Sequence, residues 1–128
     1  MRKFIFALFA VAFMALTSCS STPSEKEVDA ILEKCRSDEY VSPDEYSKLI
    51  DYFEAIYAEM EPLVKEAREA QINPDTDRYA DAVDKMRDFT EKHPCSEWVI
   101  GALENGREAM GPANYSRFQK TYDKLKNL

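Results

Sequence analysis

The chain reads as all-α, a compact bundle of four to five antiparallel helices, and three observations carry that reading. No segment alternates apolar and polar residues with the period of two that a half-buried strand needs. From Val28 to Leu125 the apolar residues recur instead at steps of three and four, with serine, proline or glycine where each stripe begins or ends. Only three of the 128 residues are glycine, too few for a fold built on many tight turns.

Ser24 and Glu27 stand as a capping box, and Val28, Ile31, Leu32 and Cys35 follow on one face, so a first helix is expected to end near Arg36. Ser42-Pro43-Asp44-Glu45 is a second box with proline at the first helical position. It opens the longest helix, about residues 43–70, with a stripe from Leu49 through Phe53, Ile56 and Met60 to Ala67. Pro62 lies inside that helix, removes one backbone hydrogen bond and is expected to kink it near Ala58 to Glu61. Asn73-Pro74-Asp75 breaks the chain, Asp75 or Thr76 caps a third helix, and its stripe is Tyr79, Ala82, Val83, Met86 and Phe89. After His93-Pro94-Cys95, Ser96 is expected to cap a fourth helix that reaches Met110 before Gly111-Pro112. Tyr115, Phe118, Tyr122 and Leu125 mark the fifth.

Ahead of these helices, Arg2-Lys3 precedes an apolar run from Phe4 to Leu16, the layout of an export signal. The run is shorter than the roughly 20 apolar residues a bilayer-spanning helix needs. It closes on Leu16-Thr17-Ser18-Cys19, which resembles the lipobox of bacterial lipoproteins. That resemblance implies cleavage of residues 1–18, a diacylglycerol on the Cys19 sulfur and an acylated new amino terminus, with no other cofactor. Residues 19–24 then read as a flexible tether and 25–128 as one helical domain. Ser20 stands where the lipoprotein sorting pattern places Asp for inner-membrane retention, so the resemblance implies an outer-membrane lipoprotein facing the periplasm.

Helices three and five align at an offset of 36 residues, Tyr79 on Tyr115, Ala82 on Phe118, Met86 on Tyr122 and Phe89 on Leu125. With Pro94, Ser96, Ala102, Gly106 and Gly111 between them, the stretch 79–126 resembles the tetratricopeptide pattern of envelope assembly lipoproteins. The resemblance implies a TPR-like C-terminal hairpin and a protein-binding role. The second helix is about twice the length of a tetratricopeptide helix.

The formal charge is −7, and removing residues 1–18 takes away Arg2 and Lys3 but no acid, leaving −9. Such a domain repels nucleic acid and anionic headgroups over a Debye length of about 8 Å. The membrane is therefore expected as a partner only through the lipid. With Cys19 assigned to the anchor, Cys35 and Cys95 remain in an exported compartment, either bridged or as two small buried hydrophobes.

His93 is the only histidine, and a nucleophile pair with Cys95 lacks an orienting third group, so an enzyme is not expected. Asn73, Asp75, Asp77, Asp81 and Asp84 fall on calcium-loop spacing, yet Arg78 occupies the position that needs glycine, which leaves a metal site as a weak alternative. Tyr40 and Tyr46 lie off or at the edge of the stripes and are candidates for partner contact. Trp98 reads as core ahead of contact. The expected function is a lipid-anchored interaction or assembly module. The alternatives are an acidic inhibitor or immunity-type protein with a basic partner, and behind it a calcium-binding or hydrolytic protein.

Overall fold

The computed structural model describes residues 22–72 and 76–128, and within them five helices and no strand. They are α1 (Glu25–Arg36), α2 (Pro43–Ile72), α3 (Thr76–Lys92), α4 (Ser96–Asn105) and α5 (Pro112–Lys126). The export signal, Cys19, Asn73 and Asp75 lie outside the described residues.

The long helix α2 is the hub, and each of the other four packs on it, while α1 also touches α4. Its start is fixed as the sequence predicts. The Glu45 amide donates to Ser42 Oγ at 3.2 Å, and the Ser42 amide donates back to Glu45 Oε1 at 3.1 Å. Tyr46, Leu49, Ile50, Tyr52, Phe53, Ile56 and Tyr57 are buried, covering more than one face because neighbours arrive from several sides. The helix runs unbroken through Pro62.

Both α3 and α5 lay a stripe on α2. Ala82 and Phe118 are both fully buried, whereas Tyr79 and Tyr115 are similarly open, at 39% and 40%. Phe118 meets Phe53 at 5.7 Å between ring centroids. Arg117 then fastens α5 to α2, donating from Nη2 to Asp51 Oδ1 at 2.7 Å and to Glu54 Oε1 at 2.6 Å. The expected core stripe of α3 is narrower than the sequence reading, because Val83 joins Tyr79 on the open side.

Two boundaries differ from expectation. Ser96 does not cap α4: the cap position is Cys95, without a side-chain cap bond, and the Cys95 amide is taken instead by Glu25 Oε2 at 3.3 Å. The helix also stops at Asn105 rather than Met110, with Gly106 at its C-cap. A Cβ on Gly106 would lie 2.7 Å from the Tyr46 hydroxyl and 2.8 Å from its Cζ. That close approach leaves no room for a side chain.

Candidate functional site

Because α2 takes most of the core, α1 and α4 meet along a seam of short side chains. Two adjoining cavities of about 300 and 290 Å³ open along it and share Cys35, Ala102 and Asn105. The first is completed by Leu32, Arg36, Glu97, Trp98 and Gly101. The second continues past Val41, Tyr46 and Gly106 to Asp38 and Glu39 in the α1–α2 loop. The first is lined mainly by apolar surface and the second mainly by polar surface, and together they form one groove along the seam.

The three tyrosine and tryptophan candidates sort themselves around this groove. Trp98 is not core: 59% of it is exposed, and the Arg36 guanidinium sits 5.6 Å above its ring. Tyr40 is 79% exposed in the loop between Glu39 and Val41. Tyr46 is corrected from exposed contact to floor, at 7% exposure, because the missing side chain of Gly106 lets its ring lie flush with α4.

Gly101 is the residue that the sequence reading passed over. It stands inside α4, exposed, and a Cβ there would meet nothing within 4 Å. Glycine inside a helix costs about 1 kcal/mol relative to alanine. Nothing in the fold requires that sacrifice, and the open space lies beside Trp98 in the groove.

Acids outnumber bases on the rim. Asp38, Glu39 and Glu97 line it, while Arg36 is held by Glu33 at 3.0 Å and by Asp29 at 3.8 Å. Cys35 faces both cavities, but burial and then the Glu45 charge push its thiol up, away from the reactive thiolate.

Cys35 and Cys95 are both free thiols. The bridge is excluded by the length of α1. Cys95 Sγ donates to the Glu25 carbonyl at 3.7 Å, and Cys35 lies ten residues along the same helix, about 15 Å at 1.5 Å per residue. A disulfide needs Cα atoms within about 7 Å.

A second polar cluster sits at that other end of α1. His93, in the turn after α3, places Nδ1 3.1 Å from Glu25 Oε1 and Nε2 2.8 Å from Glu59 Oε2. The Tyr52 hydroxyl donates to the same Glu25 oxygen at 2.6 Å. These partners, 68 and 34 positions from His93, were invisible to spacing arguments. Burial alone would raise the Glu25 carboxyl. Hydrogen bonds from Tyr52, Cys95 and His93 outweigh it and hold the group below the ordinary 4.5. Burial, then the hydrogen bond to Glu25, pushes the Cys95 thiol up to about 12. With both imidazole nitrogens engaged by carboxylates, none is left to activate Cys95, and the two residues form no nucleophile pair.

Three of the five residues on the calcium spacing are described. Asp77, Asp81 and Asp84 stand on regular helix α3, where Asp81 pairs with Lys85 at 3.1 Å and Asp84 with Arg87 at 3.2 Å. Among the described residues no group of three or more His, Cys, Asp or Glu side chains could hold a metal ion.

Compared with known protein families, curated proteins and solved structures, the chain matches none. Among the described residues no helix is long and apolar enough to cross a membrane.

Proposed function

We propose that the protein is a lipid-anchored envelope module that binds another protein through the α1–α4 groove. The observation that carries this reading is the exposed Gly101 beside the exposed Trp98. A mid-helix glycine with empty space above it permits close approach of a partner backbone, and an open indole supplies an anchor. The excess of acids on the rim supports a partner segment that is apolar on one face and basic at its edges. It joins the interaction reading to the basic partner of the inhibitor-type alternative. Leu16-Thr17-Ser18-Cys19 supports anchoring at Cys19 through diacylglycerol and an N-acyl chain, with the domain on the periplasmic side of the outer membrane.

Trp98 is the sole tryptophan, so its emission reports the groove directly. A helical peptide of leucine and lysine, titrated at low salt, is expected to shift that emission to the blue saturably. Gly101→Leu, which fills the open space, is expected to abolish the shift. Emission that ignores the peptide, or responds equally to a leucine and glutamate peptide, overturns the groove assignment. Anchoring is tested separately by labelling cells with a tagged fatty acid, where Cys19→Ala is expected to lose all label.

A further inference from the structure

The His93 cluster fastens the first turn of α1, and with it the point where the chain leaves for residues 1–21, to the body of the fold. Three elements converge there: Glu25 from α1, Tyr52 and Glu59 from α2, and His93 with the Cys95 amide from the turn between α3 and α4. Lys92 adds a cation 3.3 Å from Glu59, and Asp29 lies near enough to act on the Cys95 thiol. His93 keeps only 17% of its side chain exposed. Pro23 is buried, and Thr22, Pro23 and Ser24 line a cavity with Glu25, Glu59 and His93.

We infer that this cluster is a proton-dependent latch on the start of α1, closed when His93 is doubly protonated. The argument is one of donors and acceptors. Ionised carboxylates only accept, so two carboxylates facing the two ring nitrogens are both satisfied only if each nitrogen carries a hydrogen. Loss of one proton leaves a lone pair pointed at a carboxylate oxygen and removes a charge-assisted bond. Glu25 and Glu59 stay ionised to lower pH than an ordinary carboxyl. In each case burial opposes this and the bonds from neighbours, His93 among them, prevail. The latch therefore weakens when His93 gives up a ring proton, and it opens again in acid, where the two glutamates protonate. Such a device would let the anchored end of the domain respond to the acidity of its compartment.

The test is amide hydrogen exchange on the full chain in detergent, read at Cys95, whose amide donates to Glu25, and at Val28, whose amide donates to the Ser24 carbonyl at 3.0 Å. After correction for intrinsic chemistry, protection at both is expected to fall by about tenfold or more from mildly acid to mildly alkaline buffer, the loss of one charge-assisted bond. His93→Gln is expected to flatten this dependence. Glu59→Gln, whose amide can donate to a bare imidazole nitrogen, is expected to reduce it. A wild-type profile that is flat, or one that His93→Gln leaves unchanged, overturns the latch. Should His93→Gln fail to fold, the Glu59→Gln profile decides: a dependence equal to wild type overturns it.

Discussion

Two glycines five residues apart, in and at the end of α4, are expected to respond to alanine with opposite signs. At Gly101 the added methyl meets nothing within 4 Å, so only the helix propensity changes, a gain of about 1 kcal/mol. At Gly106 the same methyl lands 2.7 Å from the Tyr46 hydroxyl and 2.8 Å from Cζ, well inside contact distance. The ring has little freedom to retreat because Tyr46 is buried, and overpacking of this kind costs about 1–3 kcal/mol. Gly106 has φ −92, so relief of backbone strain contributes nothing to either change. For a domain of this size 1 kcal/mol moves Tm by about 4–8 °C. Thermal unfolding followed by circular dichroism should place Gly101→Ala above wild type and Gly106→Ala below it. Tyr46→Leu combined with Gly106→Ala should recover part of the loss, since the two sites share one contact. A neutral Gly106→Ala refutes the close-approach argument, and a destabilising Gly101→Ala refutes the claim that the fold has no use for that glycine.

Phe118→Ala, at a fully buried ring against Phe53, should lower unfolding free energy by about 3–5 kcal/mol in urea titration. Arg117→Ala breaks the fork to Asp51 and Glu54; with the side chain 37% exposed, the expected loss is about 1 kcal/mol, shrinking in high salt. Glu25, Glu45, Glu59 and Glu61 are all held below the ordinary 4.5, so the stability they contribute is complete above that value and is lost as pH falls through their lowered range. Melting from neutral to acid pH should show this decline, and Glu25→Gln should flatten part of it. Reductant should leave Tm unchanged, and peptide mapping without reductant should find no Cys35–Cys95 linkage.

The helical architecture was legible because its determinants are local. Ser42, Pro43 and Glu45 act within one turn of chain, and the stripe from Leu49 to Ile56 records burial at helical spacing whatever it packs against. The errors fall where a distant residue intervenes. Cys95 takes the cap position of α4 while its amide meets Glu25 from 70 positions away, and α4 ends at Asn105, where Tyr46 packs against Gly106. Trp98 and Val83 look like core by type and spacing, yet both lie on the open side of their helices. The groove left one trace in the sequence, a glycine inside a helical stripe, which periodicity alone cannot distinguish from a packing glycine. The His93 cluster left none, since Glu25 comes from α1, Tyr52 and Glu59 from α2, and His93 from the turn after α3.

The latch and the groove lie at opposite ends of α1, which raises the question of whether opening one moves the other. Energetics answer against it. Val28, Ile31 and Leu32 are almost fully buried, and each such side chain contributes about 1.5–3 kcal/mol to keeping α1 docked. Together they exceed the charge-assisted bond at His93, worth about 1.5–3 kcal/mol, so losing its proton loosens the first turn without releasing the helix. Arg36, near the far end, should therefore keep its place over Trp98. Trp98 emission in the full chain is expected to stay constant over the pH range in which Val28 exchange accelerates. Emission that changes over that range, and ceases to do so in His93→Gln, would show that α1 moves as a rod and that the three aliphatic residues hold it less firmly than their burial implies.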